Sequence, residues 1–210
     1  MSVINNRKSL IKFTKQQFIV DTTIHLIVEM GIDNIRMEDI ASASNYTKRT
    51  LYAYFKSKDE IILWLLTDDL IRRWNFQKEQ IASGKTGLEK LNIWGLSLYE
   101  HYNKNSHSLQ IQDYIDYYSI HTHKVSDTIF ERFKLINDEL AEGLRSIFNL
   151  GIEDGSLRKD IEIDITINQF LYSFRAILSR AFSDGYSFAK YDKSKYANHF
   201  LNQFILSVKA

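Results

Sequence analysis

The chain has 210 residues, with 27 Lys and Arg against 26 Asp and Glu, and 44% of it is hydrophobic. That composition fits a soluble globular protein and excludes wholesale disorder. It contains no cysteine, which removes disulfides, thiolate metal sites and cysteine nucleophiles together.

The lack of cysteine fits a reducing compartment, and the cytoplasm is the expected location. With no proline and eight glycines, the chain is expected to be mostly helical. The longest apolar run, Ile61–Leu66, is six residues. A bilayer span needs about 20, so no membrane partner is expected. The first residues are basic but have no apolar core or cleavage site, so no secretory signal is expected.

In chain order, Arg7, Lys8, Lys12 and Lys15 precede any acid. Such an arm is either a frayed, solvated terminus or a weak pointer to nucleic acid. From Phe13 to Met30 the pattern is helical, with Ile19, Thr23, Ile27 and Met30 on one face. Gly31 suits a left-handed cap after it. Met37, Ile40, Ala41 and Ser44 share one side of a short second helix, with Glu38 and Asp39 near its positive end. Asp33 and Asn34 start that segment.

Ser44, Asn45 and Tyr46 break the second helix, and Asn45 tolerates positive φ. Thr47 then caps a two-turn helix over Lys48–Phe55. A long helix starts at Ser57 or Lys58. Later breaks are expected at Ala82–Gly87, Asn103–Ser108, Gly151–Asp160 and Ser183–Lys193. The last separates two long apolar-periodic helices, about Ile163–Phe182 and Tyr196–Val208.

Two short helices joined by a tight turn, after a packing helix, have the layout of a helix-turn-helix, whose second helix enters the major groove. Leu51 and Phe55 would face the small core. Arg49, Thr50, Ala53 and Tyr54 would face the groove. The start of this helix, with Lys48 and Arg49, suits phosphate, and Arg49 can instead reach a guanine edge. Thr50 can meet a base edge or a thymine methyl. Tyr52 and Tyr54 carry hydroxyls for phosphate, and Lys58 would sit over the DNA backbone. Each has a plainer reading alone, as solvated charge or core ring. Together they occur at the offsets a reading helix needs.

These residues resemble the DNA-binding domain of the tetracycline-repressor (TetR) family. The resemblance rests on Gly31, on Glu38-Asp39-Ile40-Ala41, and on the string from Thr50 to Phe55 followed by Lys56-Ser57-Lys58-Asp59-Glu60. It covers about Ile19–Ile62. Departures are Thr22-Thr23 for an alanine pair, Ile35 and Arg36 in place of a capping Thr or Ser, so that Asn34 would cap the second helix instead, Asn45 for a turn glycine, and Arg49 at a normally small position, where operator preference would differ. The resemblance implies DNA contacts at Thr47, Lys48, Thr50, Tyr52, Tyr54 and Lys58, with Arg49 beside them. It further implies that the remainder binds a small molecule and dimerises.

The remainder has its own signals. One stripe is Ile165, Phe170, Phe174, Ile177, Leu178 and Ala181. Another is Phe200, Leu201, Phe204, Ile205 and Val208. Two such helices per subunit would build a four-helix interface, and paired half-sites call for a two-fold partner. Completing the protomer's own core is the alternative. Trp94, Leu98, Tyr102, Tyr114, Tyr117, Phe130, Phe174 and Leu178 are candidates to line an apolar ligand pocket, or are ordinary core. His121 and His123 are spaced i, i+2, unlike a helical metal pair. His25 and Glu29 read as a surface pair. No metal and no cofactor are expected. No hydrolase, metalloprotease, di-iron or phosphate-loop motif occurs, so no enzyme is expected.

The expected fold is therefore all-α. An N-terminal three-helix helix-turn-helix domain, residues 1–60, leads into a larger helical ligand-binding and dimerisation bundle, residues 61–210. The expected function is a cytoplasmic, homodimeric transcriptional regulator, a repressor released from a palindromic operator on double-stranded DNA by a small apolar or aromatic effector. The alternative is a DNA-binding protein of the same fold without an effector.

Overall fold

The computed structural model describes residues 3–105, 108–109, 111–112, 125–182 and 192–210. Its helices are α1 (Val3–Met30), α2 (Met37–Ala43), α3 (Lys48–Tyr54), α4 (Lys58–Ile81), α5 (Gly87–Lys104), α6 (Asp127–Glu153), α7 (Ile163–Phe182) and α8 (Lys193–Val208). The fold is all-α. Among the described residues the one extended pairing is an isolated antiparallel bridge between Leu157 and Lys209. Two compact units divide the chain. One is Met1–Asp69 with Ile111–Leu135, and the other is Leu70–Gln110 with Ile136–Ala210.

Helix ends in the first unit have local causes. α1 begins ten residues before the periodic stretch, since neither glycine nor proline interrupts residues 3–12. It ends at Gly31, whose φ of 77° suits a residue without a Cβ. Asn34 does not cap α2. Its side-chain amide turns back to the Met30 carbonyl at 2.8 Å, and Arg36 holds the N-cap position. The missing cap hydroxyl is offset by Asp39, whose carboxylate accepts the Arg36 N–H at 2.8 Å.

After α2, Asn45 takes a φ of 54°. The Tyr46 N–H then reaches the Ala41 carbonyl at 2.9 Å and the Asn45 N–H reaches Ser42 at 3.1 Å. This double closure satisfies the last carbonyls of α2. The Thr47 hydroxyl accepts the Thr50 N–H at 3.1 Å and starts α3. Ser57 does the same for α4, accepting from Glu60 N–H at 3.2 Å.

The core of this unit gathers Ile19, Ile27, Ile40, Leu51, Phe55 and Ile61–Leu66, all buried. Thr23 is buried with them and donates to the Ile19 carbonyl at 2.8 Å. Met30, expected on that face, is 41% exposed because the helix ends there.

In the second unit, α5 opens on a reciprocal cap. The Thr86 hydroxyl accepts from the Glu89 N–H at 3.2 Å, and the Glu89 carboxylate accepts from the Thr86 N–H at 3.4 Å and from the Lys85 N–H at 2.7 Å. Gly151 does not start a break, as its position suggested; α6 continues to Glu153. The turn belongs to Gly155, at φ 74°. Gly151 instead lets a neighbour approach: a Cβ on Gly87 would lie 2.2 Å from its Cα. Gly87→Ala is therefore expected to force α5 and α6 apart, at about 1–3 kcal/mol. Urea unfolding of the full chain checks this, and unchanged stability would contradict it.

The centre of this unit is aromatic. The Phe170 ring lies 4.7 Å from Trp94 and 4.4 Å from Phe204, and Phe174 stacks on Phe200 at 5.4 Å. Phe170, Phe174 and Leu178 of α7 and Leu201 and Val208 of α8 are thus buried inside the protomer. Part of each stripe completes the protomer's own core, while Ile177, Ala181, Phe200, Phe204 and Ile205 stay half-buried. Exposed apolar residues on the same helices are Ile165, Tyr172, Tyr196 and Leu206.

Candidate nucleic-acid interface and ligand core

α3 is seven residues long, and its position is fixed by burial of Leu51 and Phe55, both 0% exposed. Because α3 turns once every 3.6 residues, fixing that pair inward aims others out. Thr47, Lys48, Arg49, Tyr52 and Ala53 are exposed, and Thr50 is half-buried. Tyr52 is 48% exposed, so it is no core ring. The Thr47 and Thr50 hydroxyls lie 2.9 Å apart, which orders both at the start of the helix.

Two candidates sit differently from the rest. Tyr54 is half-buried, its ring 6.2 Å from that of Tyr46, and it packs on the core. Its carbonyl accepts from the Gln16 side chain at 3.4 Å. Lys58 donates its ammonium to the Ile32 carbonyl at 2.9 Å. That bond ties the start of α4 to the α1–α2 loop and draws the charge inward.

Lys48 is paired with Glu38 of α2 at 2.7 Å, with both side chains about half exposed or more. The hydrogen bond from Lys48 holds the Glu38 carboxyl below its ordinary range, and the same bond raises Lys48. Both are therefore ionised at neutral pH. Glu38 was read from sequence as a helix-dipole partner, yet it also competes with phosphate for Lys48. Glu38→Gln is expected to raise DNA affinity about two- to fivefold, most at low salt. Fluorescence anisotropy with a labelled duplex measures it, and an unchanged or lower affinity would contradict it.

Glu60 is a residue whose role the sequence did not reveal. It is 2% exposed. Its carboxylate accepts the Lys56 N–H at 2.7 Å and the Ser126 N–H at 3.0 Å. One side chain thus joins the exit of α3 to the residue preceding α6. A Glu after a Ser at a helix start reads as an ordinary first-turn acid, so sequence offered no sign of the second partner.

Of the ligand candidates, Trp94, Leu98, Tyr102, Phe174 and Leu178 are all buried in the second unit. Phe130 lies in the first unit, 6.5 Å from Phe133, packed on that unit's core. Tyr114 and Tyr117 lie outside the described residues, as do His121 and His123. A separate cleft of about 450 Å³ between α6 and α7 is lined by Leu140, Leu144, Ile167 and Leu171 and edged by Arg145 and Asp164. Arg145 already meets Asp164 at 2.6 Å. None of the ligand candidates lines that cleft.

A short threonine-capped helix, held by two buried side chains and offering cations, hydroxyls and a phenol outward, defines a helix-turn-helix DNA-binding unit. Residues 19–64 match the family model described as bacterial regulatory proteins, tetR family. It is 28% identical over 152 residues to the HTH-type transcriptional repressor KstR2 of Rhodococcus jostii (strain RHA1), covering 70% of each chain. Two solved structures share the fold. The fatty acid degradation regulator FadR from Bacillus halodurans has a TM-score of 0.69 at 15% identity, covering 91% of this chain and 94% of its own. FadR from Bacillus subtilis in complex with stearoyl-CoA has a TM-score of 0.67 at 19% identity, covering 90% and 97%. The family's members are transcriptional regulators, not enzymes.

Proposed function

We propose that this chain is a homodimeric, cytoplasmic repressor that binds a palindromic operator and leaves it when a small apolar or aromatic molecule enters its second unit. Residues 1–60 would read DNA, and residues 61–210 would bind the effector and dimerise. The observation that carries the DNA half is the outward set on α3. Lys48, Arg49 and Tyr52 are exposed on a helix fixed by Leu51 and Phe55. Thr47 and Thr50 complete the set. Tyr54 and Lys58 would then contribute by bracing and by short-range charge.

Support for the effector half comes from the buried aromatic group of Trp94, Leu98, Tyr102, Phe174 and Leu178. An apolar core with a few polar groups is the usual setting for a small ligand. An effector that prefers the DNA-released state would lower operator affinity by the ratio of its affinities for the two states. The tight ring contacts of Trp94, Phe170 and Phe204 favour a second reading, a regulator of the same fold whose core stays filled.

Release of bound DNA separates the two. Purified protein on a DNA fragment from its own genome is challenged with extracts of small metabolites. The effector reading expects one fraction to release the DNA at least about tenfold, a coupling typical of such switches. Indifference to every fraction would leave the filled-core reading.

A further inference from the structure

Beyond Asp69, α4 buries one face: Leu70, Arg73, Trp74, Gln77 and Ile81. These positions follow the spacing of a single helical stripe. Two of them do not belong in an apolar stripe. Arg73 is 5% exposed and Gln77 0%, and they lie one turn apart on the same face. Arg73 donates through Nη1 to the Tyr102 hydroxyl, and its guanidinium carbon lies 5.4 Å from the Tyr102 ring centre. The Arg73 Nε–H has no acceptor, and neither polar atom of the Gln77 amide has a partner. Among the described residues, no carboxylate pairs with Arg73.

A guanidinium cannot shed its proton to escape burial. Buried with no ion-pair partner among the described residues, it is a destabilisation, and an unsatisfied amide adds to it. Leucine or methionine would fill either position more cheaply. Arg73 has five donors and spends one on Tyr102. Trp94 and Leu98 lie on α5 at four-residue steps before Tyr102, and all three are buried. An apolar wall therefore runs up to a polar end that carries the Arg73 guanidinium.

We infer that Arg73 and Gln77, with the Tyr102 hydroxyl, form the head-group site for a small monocarboxylate, so that the effector is a free organic acid with an apolar or aromatic body. This rests on the effector reading above and names its ligand class. A carboxylate matches the guanidinium fork with two parallel hydrogen bonds, and Gln77 supplies a further donor. A neutral alcohol leaves the charge unmet. A coenzyme A thioester presents no carboxylate and carries several phosphate charges, for which one guanidinium is too little.

The test uses the full chain with straight-chain carboxylates from hexanoate to hexadecanoate and 4-phenylbutyrate, each beside its matched primary alcohol, and palmitoyl-CoA. Tryptophan fluorescence and melting temperature report binding, and release of a genomic DNA fragment reports response. At least one acid is expected to bind about tenfold or more tightly than its alcohol. In Arg73→Met and in Gln77→Leu that advantage shrinks, to nothing in the first. Without ligand, Arg73→Met is expected to melt about 2–4 °C higher, because the unmet charge is gone.

Equal binding of acid and alcohol, with DNA release by both, would keep the effector reading and overturn the acid site. Palmitoyl-CoA binding where the free acids do not would do the same. A lower melting point for Arg73→Met, with Gln77→Leu leaving acid affinity unchanged, would make the guanidinium structural. Failure of every probe to bind or release DNA would overturn both readings.

Discussion

Phe55→Ala is expected to remove about 3–5 kcal/mol from the first unit and to abolish DNA binding with it. The ring is 0% exposed and meets the Trp64 ring edge-on at 5.7 Å. It also occupies the C-cap of α3, where its N–H reaches the Leu51 carbonyl. Removing it empties the space between the reading helix and α4. The two helices then lose the contact that sets the aim of Lys48, Arg49 and Tyr52. Hydrogen exchange across α1–α4 should show lower protection throughout, while amides of α7 and α8 keep theirs. Wild-type protection in α3 would contradict the packing argument.

Glu60→Ala is the second large effect. Its carboxylate satisfies two backbone N–H groups, on Lys56 and Ser126. Deleting it leaves both donors without their acceptor in a half-buried site, and the expected loss is about 3–5 kcal/mol. Glu60→Gln keeps one acceptor oxygen and should fall between. The loss should appear at two places far apart in sequence, the α3–α4 turn and the start of α6. Faster exchange at both, with weaker DNA binding, is the expected result. Loss at the α3–α4 turn alone would show that the bond to Ser126 carries no stability.

Much of the reading unit was legible because its signals are local. Gly31, Asn45 and Thr47 each solve a backbone problem that only a few residue types can solve. Leu51 and Phe55 follow from helix periodicity. Asn34 misled because a side-chain amide can cap either neighbouring helix, and here its N–H donates to the Met30 carbonyl. The start of α1 was missed because its first turns lack an apolar stripe, and the absence of a breaker was the better guide.

The second unit was legible in outline only. Periodicity marks which side chains share a face but not what covers it. Phe170 and Phe174 therefore read as facing a partner subunit, with their own core as the alternative, until Trp94, Phe200 and Phe204 were placed around them. Arg73 and Gln77 were hidden for a different reason. A charged or amide residue in a helix reads as solvated by default. Here they fall in register with Leu70, Trp74 and Ile81, and that register was the available signal. Phe130 went the other way: aromatic composition grouped it with Trp94, while the fold sets it in the other unit.

The reading of specific DNA by α3 carries the proposed function. It is tested most directly by mixing the purified full chain with sheared DNA from its own source at moderate salt and sequencing what it retains. Lys48→Ala/Tyr52→Ala serves as the control, since both side chains are exposed and neither holds the core. A few strongly enriched palindromes are expected, which the double variant loses while its melting temperature is unchanged. Diffuse retention without a shared sequence, or the same palindromes retained by the double variant, would contradict it.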